Sequence, residues 1–202
     1  VIKKKIGVLI SGGGSNLQAL IDACARPGFP AEIAVVISSK PDAYGLNRAR
    51  EHGIPAHIVN HRDYPSREAF DQSMQQLLER HVVDIVCLAG FMRLLTPGFV
   101  QHWHNKLLNI HPSLLPAFKG VHVHEKIIAS GVRFSGCTVH FVRPEMDVGP
   151  IVAQAVVPVL PTDDVESLAA RVLEQEHRIY PQALQWLAEG RLTIENEKVT
   201  VA

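Results

Sequence analysis

Lys5-Ile6-Gly7-Val8-Leu9-Ile10-Ser11-Gly12-Gly13-Gly14-Ser15-Asn16-Leu17-Gln18-Ala19-Leu20-Ile21 is the stretch that decides the fold. A run of apolar residues stops at three glycines and passes into a segment whose Leu17, Leu20 and Ile21 recur at helical spacing. Strand, glycine turn and helix in that order open a βα unit, and the free N–H groups at such a helix start form an anion site. The turn fits none of three known loop types. A dinucleotide fingerprint begun at Gly12 needs Gly or Ala where Leu17 stands, a Walker A loop needs Gly-Lys-Ser/Thr, and a nucleophile elbow needs a closing Gly after Ser15-Asn16. Two readings remain: a cradle for one phosphate monoester, and a tight turn that simply requires positive φ.

Outward from this unit, short β-branched runs alternate with helical patterns to about residue 187. The runs Lys5–Ile10, Glu32–Ile37, Ala56–Val59, Val83–Leu88, Lys106–Ile110, Cys137–Val142 and Ile151–Val157 read as strands. Asn16–Ala25, Tyr44–His52, Ser66–His81, Thr96–Trp103, His124–Ser130 and Asp164–Leu187 read as helices. Such alternation predicts an α/β fold: one Rossmann-like domain with a mostly parallel central sheet, helices on both faces and a small C-terminal hairpin around Asn196. Asp163-x-x-Glu166 has capping-box spacing, and Pro181 is expected to kink or break the last helix near Tyr180.

Composition narrows the function classes. The 202 residues carry 20 Lys+Arg against 20 Asp+Glu and are 47% apolar, which argues against a polyanion-binding surface and against intrinsic disorder. The longest apolar runs, such as Ile6–Ile10 and Ile33–Ile37, fall far short of the ~20 residues a membrane helix requires. Cys24, Cys87 and Cys137 show no CxxC spacing and are expected to be reduced, inert core residues of a cytoplasmic protein. Eleven histidines invite a metal, but His124-Glu125 has no second His at the HExxH offset and no metal is expected.

Asn109-Ile110-His111-Pro112 closes one of the strands, and residues two apart project to the same side, so Asn109 and His111 face one space. An amide donor beside a titratable imidazole suits stabilisation of a developing oxyanion and proton donation to it. Asp147 lies in the loop Arg143–Pro150 between two strands, where it serves either as a carboxylate partner for a histidine or as an ordinary turn residue.

Taken together, Ser11–Asn16, Leu88-Ala-Gly-Phe-Met-Arg93, Asn109-Ile-His-Pro-Ser-Leu-Leu-Pro116, Cys137–Val142 with Asp147-x-Gly-Pro150, and Gln175-Glu-His-x-Ile-Tyr-Pro181 resemble, in this order, the phosphoribosylglycinamide formyltransferase family. The resemblance covers nearly the whole chain and implies one formyltransferase domain over residues 1–202, with the phosphate loop in its N-terminal half and the catalytic and folate loops in its C-terminal half. It further implies transfer of a formyl group from 10-formyltetrahydrofolate, the co-substrate, to the amine of glycinamide ribonucleotide in purine synthesis. By the same resemblance Asn109, His111 and Asp147 form the catalytic trio with His140 as an accessory. Gly14, Ser15 and Asn16 hold the ribonucleotide phosphate, and Glu176 with the preceding turn Leu173, Glu174 and Gln175 contacts the rest of that substrate. Arg67, Met92, Arg93, Leu94, Leu95, Asn109 and the loop Arg143, Pro144, Glu145, Met146, Asp147 surround the folate. Lys119-Gly120 stands where the family commonly has Pro-Gly.

Small-molecule partners, no nucleic acid, no membrane, and a monomer or homodimer are expected. The alternatives are another formylfolate-using enzyme, formyltetrahydrofolate hydrolase or a methionyl-tRNA formyltransferase core, and a non-catalytic phosphate-binding module. The neutral charge and the terminal hairpin soon after Leu187 disfavour the tRNA enzyme, which carries an added basic domain.

Overall fold

The computed structural model describes residues 2–202. Strand β1 (Lys4–Ile10) shows how the sequence builds the fold: Ile6, Val8 and Ile10 enter one apolar core and Leu9 the other, as the period of two dictates. β1 is buried on both faces, as a central parallel strand must be. Gly7 falls on the second face, where a Cβ would lie 2.4 Å from Leu78 Cδ2, so its bare backbone lets the covering helix close down.

Around β1 the sheet extends in both directions. Helix α1 (Ser15–Cys24) leads to β2 (Ala31–Ser38), α2 (Gly45–Glu51) and β3 (Ala56–Ile58) on one side. Helix α3 (Arg67–Arg80), β4 (Ile85–Leu88), α4 (Pro97–His102) and β5 (Leu107–His111) follow on the other. Next come α5 (Val123–Ser130), β6 (Phe134–Phe141), β7 (Ile151–Pro158), the long α6 (Val165–Ala188) and a separate hairpin β8 (Leu192–Glu195) and β9 (Lys198–Val201). The seven-stranded sheet has the order β3-β2-β1-β4-β5-β6-β7; the first five strands are parallel, and β6 and β7 are antiparallel additions. Helices α1, α2, α5 and α6 cover one face, while α3 and α4 cover the other. The strand order reverses between β1 and β4, and it is beyond the C-terminal ends of strands at such a point that α/β sheets bind ligands.

The start of α6 is corrected, and of the two outcomes expected at Pro181 the break does not occur. The capping box is formed by Asp164 and Ser167, one residue later than predicted, because Asp163 is instead engaged by Arg171 at 2.6 and 2.8 Å. Nor does Pro181 break the helix, which runs unbroken to Ala188. Tertiary packing outweighs the proline's local cost: Pro181 is buried beside Tyr180, whose hydroxyl lies 2.7 Å from the Leu88 carbonyl and 3.2 Å from that of Leu108. The three thiols are free, and burial pushes each up to about 12, consistent with inert packing residues. Among the described residues no helix is long and apolar enough to cross a membrane, and no group of three or more metal-ligating side chains is assembled.

Candidate active site

At the end of β1 the chain turns through Gly12–Gly14 into α1. Gly14 occupies the N-cap with φ of 75° and no side chain caps the helix. The amides of Gly13, Gly14, Ser15, Asn16 and Leu17 find no acceptor among the described residues, so five N–H donors gather at the positive end of a ten-residue helix. A Cβ on Gly14 would lie 2.7 Å from the Gly45 Cα, so the turn requires glycine on steric as well as conformational grounds. Asn16 Nδ2 donates to Glu176 Oε2 at 2.8 Å, tying the turn to α6. Burial pushes the Glu176 carboxyl upward, and this bond partly offsets the shift. Of the turn before it, Leu173 is half-buried, Glu174 is exposed, and Gln175 Oε1 accepts from Arg178.

Asn109 and His111 stand at the end of β5, where antiparallel β6 brings His140 opposite Asn109. His140 Nδ1 faces the Phe141 carbonyl at 2.9 Å and therefore carries the proton, since a carbonyl only accepts. Burial holds His140 below the usual imidazole range, so its Nε2 is a bare acceptor. The Asn109 amide donates to it at 3.3 Å, which fixes the orientation of Asn109 and leaves its second N–H free.

His111 is buried between two acceptors. Nε2 donates to the Phe118 carbonyl at 2.9 Å, and Nδ1 lies 3.4 Å from Asp147 Oδ1, with side chains only 6% and 9% exposed. The first contact places a proton on Nε2, since a carbonyl only accepts, and the second sets the carboxylate within ion-pair distance of Nδ1. Asp147 adopts a left-handed φ of 52°, and its other oxygen accepts the Gly120 amide at 2.7 Å. The loop Ala117–Gly120 thus holds the imidazole through one backbone carbonyl and the carboxylate through one amide. Ser113 and Thr138 brace it: Ser113 Oγ donates to the Ala117 carbonyl at 2.6 Å, and Thr138 Oγ1 to the Ser113 carbonyl at 2.7 Å. Phe118 and Gly120 were not among the expected site residues. For Gly120 a glycine in an irregular segment was a usable signal, whereas Phe118 acts through a carbonyl that every residue possesses.

The expected folate residues divide. Arg67, Arg93 and Leu94 meet in one cavity of about 190 Å³, with Tyr64 and Phe70 in its wall. Met92 is exposed, and its amide donates to Ser11 Oγ at 2.9 Å, pinning this segment to the end of β1. Leu95 lies in the core beneath α3 and offers only its carbonyl, to Arg67 at 3.2 Å. Pro144, Glu145 and Met146 are exposed. The Arg143 guanidinium is turned away to Glu197, at 2.8 and 3.1 Å, and to Asn105 at 2.9 Å.

Comparison with known proteins agrees with the fold. The sequence profile of the formyl transferase family matches residues 4–184. The trifunctional purine biosynthetic protein adenosine-3 of Bos taurus is 50% identical over 98% of this chain, which spans 20% of that protein. The chain therefore corresponds to about a fifth of such relatives. The phosphoribosylglycinamide formyltransferase of Escherichia coli (strain K12) is 48% identical over 93% of this chain and 88% of its own length. The crystal structure of glycinamide ribonucleotide transformylase 1 from Symbiobacterium toebii superposes with a TM-score of 0.96 at 51% identity, covering 98% of this chain and 94% of that one.

Proposed function

The chain belongs to the formyl transferase family, and from that premise we propose that it transfers a formyl group from 10-formyltetrahydrofolate to the amine of 5′-phosphoribosylglycinamide, a step of purine biosynthesis. The products are formylglycinamide ribonucleotide and tetrahydrofolate. The observation that carries the reading is the buried imidazole of His111 set between the Phe118 carbonyl and the Asp147 carboxylate, beside an Asn109 amide with one N–H free.

In this reading the substrate amine attacks the formyl carbon, and negative charge develops on the formyl oxygen. Asn109, through its free N–H, and His111, through its charge, stabilise that oxygen. His140, neutral and bonded to Asn109, acts as a positioning residue. Asp147 supports the imidazolium and is the base through which the amine proton leaves for the folate nitrogen, as the bond between that nitrogen and the formyl carbon breaks and the carbonyl re-forms. The five amides from Gly13 to Leu17 take the ribonucleotide phosphate, and Glu176 contacts the rest of that substrate. Arg67 and Arg93 supply two guanidinium groups that suit the carboxylate-bearing end of a folate. The described chain reads as one formyltransferase domain, phosphate loop first and catalytic and folate loops after. A cytoplasmic setting accords with its three free thiols.

Mixing the protein with both substrates and following the absorbance of released tetrahydrofolate tests the reading. A steady rise dependent on both substrates is expected. Folded protein that gives no change would leave a phosphate-binding module instead.

A further inference from the structure

Helix α2 grips the glycine turn from behind. The Gly45 amide donates to the Gly12 carbonyl at 3.0 Å, and Arg48 Nε donates to the Gly13 carbonyl at 2.8 Å. In a trans peptide the C=O and the following N–H point in opposite directions. Drawing these two carbonyls onto α2 therefore turns the Gly13 and Gly14 amides away from it, and they join the unpartnered amides of Ser15, Asn16 and Leu17. Gly45 can sit this close because it has no side chain: a Cβ there would lie 2.5 Å from Ile10 Cδ1 and 3.3 Å from the Gly14 Cα.

The turn supplies directed donors but little charge. A helix N-terminus is worth roughly half an elementary charge, whereas a phosphate monoester carries about −1.5 to −2 near neutral pH. Arg48 meets that shortfall. Among the described residues no carboxylate lies within ion-pair distance of it, its Nη1 makes only a long 3.4 Å contact to Gln18, and its guanidinium rests 5.1 Å from the centre of the Tyr44 ring. With Ser15, Gln18 and His177 it lines a cavity of about 430 Å³ beside the turn. The other cations on that wall do not serve. Arg26 lies beyond the C-terminal end of α1, at the opposite end of the helix from the turn, with Asp22 between them. Burial and the Arg48 charge hold the His177 imidazole below its usual range.

We propose that Arg48 is the phosphate-binding and positioning residue of the ribonucleotide site: its Nε fixes the Gly13 peptide plane so that the Gly14 amide faces the ligand, and its charge balances the phosphate. The inference rests on the assignment of the Gly13–Leu17 amides to that phosphate. It makes α2, which bears none of the expected site residues, part of the binding machinery.

Steady-state kinetics and direct binding of Arg48→Met and Arg48→Lys test it. Arg48→Met is expected to raise the KM for the ribonucleotide by about 10- to 100-fold, the range of a lost charge-assisted hydrogen bond, while kcat and the KM for the formyl donor stay near wild type. Arg48→Lys keeps the charge without the planar fork and should fall between. Competitive inhibition by inorganic phosphate should weaken in the same order, as should phosphate binding measured by calorimetry. A wild-type ribonucleotide KM in folded Arg48→Met, or a fall in kcat at unchanged KM, overturns the proposal. Should Arg48→Met not fold, Arg48→Lys decides: undiminished phosphate affinity in it refutes the role given to the Nε contact. If the wild-type protein transfers no formyl group, the functional assignment fails, and the calorimetric comparison still judges Arg48 by itself.

Discussion

Replacing Asp147 by Asn alters one atom, and the structure specifies what that atom does. Asp147 accepts from the Gly120 amide at 2.7 Å and lies within ion-pair distance of His111 Nδ1, at 3.4 Å. An asparagine offers one carbonyl oxygen. If that oxygen stays with the fixed Gly120 amide, the new NH₂ faces Nδ1 and is satisfied only when that nitrogen is bare. Because Nε2 remains committed as a donor to the Phe118 carbonyl, the ring is then held neutral and loses the charge meant for the oxyanion. At 3.4 Å, with both side chains nearly buried, unit charges in an effective dielectric of about 20 attract by about 5 kcal/mol. If about half survives as net stabilisation, turnover falls by about 10²-fold, since each 1.36 kcal/mol is roughly tenfold. The loss of a whole oxyanion donor sets the upper end at about 10³-fold. The assay is tetrahydrofolate release at saturating concentrations of both substrates, with thermal unfolding as the control for folding. Asp147→Asn should keep its fold and the KM values of both substrates. A folded variant that retains more than about a tenth of wild-type kcat would refute the assigned role.

Other variants probe the surrounding framework. His140→Leu removes the acceptor that orients Asn109 and should lower kcat about tenfold, with ribonucleotide KM unmoved; stopped-time assays at saturating substrate read the difference. Gly14→Ala places a Cβ 2.7 Å from the Gly45 Cα at a φ of 75°, and should cost about 1–3 kcal/mol in urea unfolding while raising the ribonucleotide KM. Glu176 has a folded-state pKa raised by burial, so its contribution to stability is present below the ordinary carboxylate range and is lost as pH rises through the folded value. Glu176→Gln keeps an acceptor for Asn16 and removes that titration. The variant should therefore gain unfolding free energy over wild type as pH increases from 4 towards 8, and parallel curves would count against the buried ionisation.

The glycine turn and the Asn109/His111 pair could be read early because each depends on a local rule. A strand ending in glycines before a helix start exposes amides, and residues two apart on a strand share a side. The type and order of the elements followed from the same reasoning, with boundaries displaced by up to three residues, as where Cys137–Val142 was expected and β6 covers Phe134–Phe141. Asp163 has the right spacing to cap α6 but is taken by Arg171, so Asp164 caps instead. Pro181 has a strong local tendency against helix, yet it is carried through α6 by a buried surface that includes Tyr180. Arg143 and Leu95 belong to segments matched to the folate pocket; one is diverted by Glu197 and Asn105 and the other is claimed by the core. The Arg143 partners stand 54 and 38 residues away and leave no trace in a motif.

By itself, then, the order of residues determined the alternating elements, the two apolar faces of the sheet, the amide-rich turn at Gly14 and the shared direction of Asn109 and His111. These depend on periodicity and on the backbone freedom of glycine, both of which act over a few residues. Only the tertiary structure decided that Asp147 meets His111, that β6 brings His140 to Asn109, and that Phe118, Gly120 and Arg48 hold His111, Asp147 and the Gly13 peptide in place. The physical reason is that most of these contacts use backbone carbonyls and amides. All residues carry such groups, or all but proline in the case of the amide, so which one faces an imidazole, a carboxylate or a guanidinium is set by strand register and packing across the fold.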